Sequence, residues 1–223
     1  MIALLKKDLI TCRYPYIVTV LLVGVVMAFA AIKDMNIAIF ICVFCSILIP
    51  MIVNKFTATE ELRKNYDIII NSFPVKRRDV VISKYIYYLI TYITTVVILF
   101  GIIMLVGELS AEDIKIGILI QSIIFLYYTL IQGISNYIYY KFEYSTAAKY
   151  SSIIVLGIVY IPMILLNLIS KVNPGIKEQI LSYGDNVMNN LPFVVAMILL
   201  IGIVIYMIFI LLSIKEYEKR DLQ

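Results

Sequence analysis

The sequence predicts an all-α, polytopic membrane protein: six transmembrane helices, an N-terminal interfacial helix, and a cytoplasmic amphipathic helix between the second and third spans. Three observations predict it. Of the 223 residues, 62% are apolar and 15% charged, against roughly one-half and one-quarter in soluble domains. The apolar residues gather in six stretches, at 16–32, 35–54, 86–107, 116–140, 150–170 and 191–213, none of which contains Lys, Arg, Asp or Glu. Each stretch approaches or exceeds the roughly 20 helical residues that cross a hydrocarbon layer of about 30 Å. Finally, the charged residues between these stretches alternate strongly in sign and number, as the connections of a membrane protein do. The whole chain, 1–223, reads as a single transmembrane domain.

Residues 1–13 place Ile2, Leu5, Leu9 and Cys12 on one helical stripe, with Lys6, Lys7 and Arg13 available to anionic lipid headgroups. This predicts an interfacial helix lying flat before the first span. The first span, 16–32, follows basic residues and contains Ala28-Phe29-Ala30, which resembles a cleavage site. Its apolar run is longer than the 7–15 residues of a usual signal core, so we read it as an uncleaved span. The second span, 35–54, carries Cys42 and Cys45 one helical turn apart. With no neighbouring His they read as packing residues.

The connection 55–85 is the longest polar stretch. Thr57-Ala58-Thr59-Glu60 fits a capping box, in which hydroxyl and carboxylate each satisfy an unpaired backbone N–H. Leu62, Tyr66, Ile69, Ile70 and Phe73 then recur at helical spacing, while Glu60, Glu61, Arg63, Lys64, Asp67 and Asn71 project elsewhere. The pattern predicts an amphipathic helix over 57–73, ended by Pro74. It either rests its apolar face on headgroups or docks a cytoplasmic protein through its charged face.

The remaining spans are 86–107, 116–140, 150–170 and 191–213, with a polar segment at 171–190 between the last two. Pro50 and Pro162 are breakers inside spans. Gln121, Gln132, Asn136 and Asn167 are candidates for interhelical hydrogen bonds or for a substrate path.

Orientation follows from Lys and Arg, which are retained on the cytoplasmic side. Of nineteen, fifteen fall in the N-terminus, the second and fourth connections and the C-terminus; Lys33, Lys115, Lys171 and Lys177 make up the other set. Both termini are therefore expected in the cytoplasm. Tyr14, Tyr16, Tyr85, Tyr87, Tyr88, Tyr137, Tyr139, Tyr140, Tyr144 and Tyr150 cluster at the same ends, as an interfacial belt would.

Catalytic chemistry is sparse. The chain has no His, the commonest general base and metal ligand. No Gly precedes a Lys, so no G-x-x-x-x-G-K-[ST] phosphate loop exists. Glu60-Glu61 lacks the Arg and the histidines of intramembrane CAAX-type proteases. No catalytic, cofactor-binding or metal site is expected. A charge-free bundle with one elaborated cytoplasmic helix suggests the membrane half of a two-component machine.

Three places carry a family likeness. One is Leu4-Leu5-Lys6-Lys7-Asp8-Leu9. The second runs from Glu60-Glu61 through Asn65-Tyr66-Asp67 and Asn71-Ser72-Phe73-Pro74-Val75-Lys76-Arg77-Arg78-Asp79-Val80-Val81 to Ser83-Lys84-Tyr85. The third is the segment before the last span. In these the chain resembles the transmembrane subunits of ABC transporters of the type-2, exporter permease family.

The resemblance implies a multi-pass permease of a bacterial cytoplasmic membrane that dimerises, with itself or a paralogue, and binds two copies of an ABC ATPase. The helix at 57–73 would be the coupling helix. Glu60, Glu61, Arg63, Lys64, Asn65 and Asp67 would seat in a groove of the ATPase, which holds the ATP and Mg. Membrane lipids, but no nucleic acid, complete the expected partners. Charge-free spans suit an amphiphilic cargo such as a peptide, drug or lipid-like molecule. The alternatives are a six-span substrate-capturing subunit of a vitamin-type importer, or a scaffold that transports nothing.

Overall fold

The computed structural model describes residues 2–33, 35–63, 75–106, 110–142, 157 and 190–219. They form five long helices: α1 (Ile2–Lys33), α2 (Met35–Arg63), α3 (Arg77–Val106), α4 (Ala111–Lys141) and α5 (Leu191–Lys219). No strand occurs among the described residues. Every one of the five is long and apolar enough to cross a membrane. The predicted span 150–170 lies, apart from Gly157, outside the described residues, and so do Pro162, Asn167 and the segment 171–189. Residues 64–74, with Lys64, Asn65, Asp67 and the later part of the predicted amphipathic helix, lie outside them too.

The helices of 29 to 32 residues are about 44–48 Å long at roughly 1.5 Å per residue. The hydrocarbon layer takes up about 30 Å of that, so each helix projects by several turns in total. Three boundaries move accordingly. α1 is unbroken from Ile2 to Lys33, with Pro15 inside it, where a separate flat helix over 1–13 was expected. α2 runs through the expected end of the second span to Arg63, with Pro50 inside it. Thr57 is therefore in the middle of a helix and not at its cap. Its hydroxyl donates to the Val53 carbonyl at 2.8 Å, and that of Thr59 to Lys55 at 2.8 Å. A capping hydroxyl serves unpaired N–H groups, and a helix that continues leaves none there. α3 begins at Arg77 with Asp79 in its first turn, well before the apolar stretch at 86.

The capping box is found instead at the start of α4. The Asp113 N–H donates to Ser110 Oγ at 3.2 Å, and Asp113 Oδ2 accepts from the Ser110 N–H at 3.1 Å and from its hydroxyl at 2.7 Å. At α5 the N–H groups of Phe193 and Val194 both reach the Asn190 carbonyl at 3.1 Å. Pro192 in that first turn removes an N–H that would have had no helical partner.

The chain divides into two compact units, Met1–Asp113 with Tyr217–Gln223, and Ile114–Glu216. In the first, α1, α2 and α3 pack against one another pairwise. Cys12, Val20 and Met27 of α1, Cys42, Ile49 and Val53 of α2, and Tyr87, Tyr88, Leu99 and Ile103 of α3 form the buried core. Gly24 lets α3 come close: a Cβ there would lie 2.9 Å from Ile102 Cδ1. The opposite faces carry Leu21, Leu22, Phe29, Phe40, Ile52 and Val97, each more than half exposed. Large apolar side chains facing outward along whole helices are what a lipid environment favours and water does not.

In the second unit α4 and α5 interlock through two glycines. A Cβ on Gly202 would lie 3.0 Å from the Phe125 ring. One on Gly133 would overlap Phe209, whose Cγ would be 2.7 Å away and whose Cβ 3.1 Å. The contacts pair 125 with 202 and 133 with 209, in the same order along both chains, so the two helices run parallel.

Candidate functional site: a buried charge ring at one end of the first unit

The buried stripes of the first unit continue past the apolar core. On α2 the face that holds Ile49 and Val53 reaches Thr57 and then Glu61 at intervals of four. On α1 the face of Cys12 leads back to Asp8, and on α3 that of Tyr87 and Tyr88 leads back to Lys84. Four residues apart on a helix is one turn, so the beginning of α1, the end of α2 and the beginning of α3 meet in layers.

The first layer below the charges joins Cys12, Thr57 and Tyr87, all buried. Cys12 Sγ lies 2.8 Å and Tyr87 Oη 3.3 Å from Thr57 Oγ1. The Thr57 hydroxyl donates to the Val53 carbonyl at 2.8 Å, and the Cys12 thiol points to the same carbonyl at 3.9 Å. One turn further in, the Tyr16 hydroxyl donates to Thr94 Oγ1 at 2.8 Å and lies 3.2 Å from that of Thr95. Each helix is thus tied to the others by polar groups before the apolar core begins.

The outermost layer is ionic. Lys7 Nζ lies 2.6 Å from Glu61 Oε1 and 2.8 Å from Asp8 Oδ1. Lys84 Nζ pairs with the same Glu61 oxygen and lies 3.3 Å from the same Asp8 oxygen. The four groups form a closed, alternating, electrically neutral ring. Asp8 is 1% exposed, Lys84 8% and Glu61 11%, while Lys7 is 26% exposed. Isolated charges so placed would be costly, and pairing offsets that cost. All four residues lie beyond the apolar stretches 16–32, 35–54 and 86–107. Burial works against the charged form of Glu61, but the ammonium groups of Lys84 and Lys7 prevail and hold its carboxyl below the usual carboxylate range. Burial likewise opposes the charge on Lys7, and Glu61 and Asp8 together raise its ammonium above the usual lysine range.

The ring changes the roles read from sequence. Lys7, expected among lipid headgroups, is held by two carboxylates. Asp8, one turn before Cys12 at the edge of the expected stripe, is buried, while Ile2 is 81% exposed. Tyr85 and Tyr87, expected in an interfacial belt, are fully buried, because three helices converge where they stand. Of the residues expected to meet a partner, Glu61 turns into the bundle and Glu60 is half-buried. Arg63 closes α2. Lys64, Asn65 and Asp67 lie outside the described residues. Asp8 and Lys84 went unrecognised as site residues. Their signal was available: Asp8 is the single acid in the first 33 residues, and Lys84 interrupts the apolar run from Val80 to Ile86.

A second tie lies at the same end of this unit. Arg77 Nη1 donates to the carbonyls of Tyr217 at 3.3 Å and Glu218 at 3.2 Å, and its guanidinium lies over the Tyr217 ring. A cation on the last carbonyls of a helix is favourably placed against the helix dipole. The last turn of α5 therefore docks beside the first turn of α3.

Among the polar residues of the expected path, Gln132 Nε2 donates to Asn136 Oδ1 at 3.1 Å along α4, and both side chains are buried. Gln121 is half-buried. The hydroxyls of Ser46, Ser83, Thr91, Ser122 and Thr129 donate to carbonyls three residues back in their own helices, so they are engaged in helix structure. Cys12, Cys42 and Cys45 are free thiols. Among the described residues no group of three or more His, Cys, Asp and Glu could hold a metal.

Helices with apolar outer faces and a polar, charge-neutral inner junction at one end define an integral membrane protein. A family model described as ABC-2 family transporter protein matches residues 3–218, nearly the whole chain. The chain belongs to that family and is a permease subunit of an ABC transporter, the transmembrane component that associates with an ABC ATPase. A comparison with curated proteins finds no match.

Proposed function

We propose that this chain is the membrane half of an ATP-driven exporter, moving an amphiphilic peptide, drug or lipid-like molecule while a separate ATPase supplies the work. Two permease copies, identical or paralogous, would assemble with two ATPase subunits, which hold the ATP and Mg. The observation that carries this reading is the convergence at one end of the first unit. The start of α1, the end of α2 and the start of α3 meet in the ionic ring, and the end of α5 docks on Arg77 beside them. This convergence supports a topology in which both termini and the 64–74 stretch lie on one side of the membrane. That side holds the excess of Lys and Arg, which assigns it to the cytoplasm, in a bacterial cytoplasmic membrane. The ATPase-facing stretch starts at the root of this junction: Glu60, Arg63, Lys64, Asn65 and Asp67 would meet the ATPase, while Glu61 turns into the ring.

Cargo chemistry follows from the spans, whose lack of charge suits a largely apolar molecule. Gln121, Gln132, Asn136 and Asn167 would supply its polar contacts. The coupling reading is tested by co-purification. Glu60→Lys combined with Asp67→Lys should release the ATPase while membrane insertion is unchanged. Glu61 is left intact, since a lysine there would set a third ammonium beside Lys7 and Lys84. Undiminished recovery of the ATPase with the variant would overturn the assignment.

A further inference from the structure

The ionic ring is built differently from everything beneath it. Deeper in the first unit the helices meet through neutral thiol and hydroxyl groups and then through apolar side chains, which resist separation but allow small sliding displacements. In the ring they meet through full charges, and each pair of helices has its own link. Lys7–Glu61 joins α1 to α2, Glu61–Lys84 joins α2 to α3, and Lys84–Asp8 joins α3 to α1. Lys7–Asp8 closes the circuit within α1. Sliding any one helix by a single turn would break two of the ring's four ion pairs at largely buried charges, a change costlier than an apolar repacking. At this level the three ends behave as one body.

The position of Glu61 gives that rigidity a direction. It lies two residues before the end of α2 at Arg63, and the 64–74 stretch follows at once. Any displacement imposed there reaches Glu61 before it reaches the membrane. Glu61 has one oxygen gripped by an ammonium from each of the other two helices, so it cannot move alone.

We infer that the ring Lys7–Glu61–Lys84–Asp8 is the joint through which motion of the cytoplasmic stretch is passed to α1 and α3 together. Asp8 is its positioning residue: almost fully buried, it holds both ammonium groups where they grip Glu61. This rests on the ATPase-coupled reading above. It adds that α1, through its first two turns, moves with the ATPase cycle although Lys7 is 54 residues from Glu61 along the chain.

The test uses the full-length permease with its ATPase in lipid nanodiscs, followed by hydrogen exchange with and without ATP plus orthovanadate. In the wild type, trapping nucleotide should change exchange in the peptides covering 2–16 as well as in those covering 55–85. In Asp8→Asn the change over 2–16 should be lost while the ATPase stays bound at the wild-type ratio. Lys84→Arg, which keeps the charge, should retain it. Should Asp8→Asn fail to fold, Asp8→Asn with Lys84→Gln keeps the ring neutral and should show the same loss. A wild-type response confined to 55–85, or an undiminished response over 2–16 in the variant complexes, would overturn the joint. A wild-type permease that retains no ATPase would instead sink the coupled reading on which it rests.

Discussion

Lys84 of α3 and Asp8 of α1 are 76 residues apart in sequence and 3.3 Å apart in the folded chain. Asp8 has a partner on its own helix in Lys7, at 2.8 Å, whereas Lys84 meets Asp8 and Glu61 from the two other helices. An ammonium 8% exposed and a carboxylate 1% exposed tolerate burial because each answers the other, with Lys7 and Glu61 completing the balance.

Removing one partner should therefore cost more than removing both. Asp8→Asn leaves two buried lysines sharing one carboxylate, and Lys84→Met leaves two carboxylates sharing Lys7. Each single change should destabilise the protein by about 3 kcal/mol, the range for a broken buried pair. The double variant should be milder than the sum of the two by about 1–3 kcal/mol. Unfolding in mixed micelles measures all four corners of the cycle. Strict additivity would show that the two groups do not interact.

The ring also sets a pH window. Glu61 has its folded pKa lowered, so its contribution is complete above the ordinary carboxylate value of about 4.3 and is lost as pH falls through the depressed one. Lys7 has its folded pKa raised, so its contribution is complete below about 10.4 and is lost as pH rises through the elevated value. Thermal stability in detergent should be flat between these limits and fall on both sides. Glu61→Gln should remove its share of the acid limb. An acid limb identical in the variant would argue against the pairing.

Gly133 tests the second unit. A methyl group there meets Phe209 at Cγ and at Cβ, so rotating the ring alone does not relieve the clash. Alanine has the higher helix propensity, by up to about 1 kcal/mol, yet overpacking costs about 1–3 kcal/mol. Gly133→Ala should therefore be neutral to destabilising, and Gly133→Ala with Phe209→Ala should recover part of the loss. A stabilised single variant would mean that α4 and α5 are not in contact at this point.

Much of the fold was legible because a membrane imposes one requirement on every span. Each of the five described helices contains one charge-free run of about twenty residues, and i, i+4 positions such as Ile49, Val53 and Thr57 mark a buried face. Boundaries were less legible. The sequence rule that places a cap at Thr57 assumes that a helix ends with the apolar run, whereas α2 continues and consumes the same hydroxyl internally. The ring was harder still. Lysines near membrane surfaces usually reach outward to headgroups, and Lys7 and Lys84 do so in any reading of one helix at a time. Their partners are supplied by two other helices, and local spacing carries no record of that.

The parallel course of α4 and α5 leads to the last prediction. Phe125 meets Gly202, and Phe209 meets Gly133, so both helices cross in the same direction. If α4 ends on one face of the membrane, α5 begins on the other, which predicts an odd number of crossings between residues 142 and 190. The charge-free stretch at 150–170 is long enough for one. Reporter fusions measure this directly. A reporter joined after residue 142 should be active as a cytoplasmic enzyme, one joined after 190 as an external enzyme, and one joined after 219 as cytoplasmic again. Equal behaviour after 142 and after 190 would require α4 and α5 to run antiparallel. Phe125 and Phe209 could not then both reach their glycines.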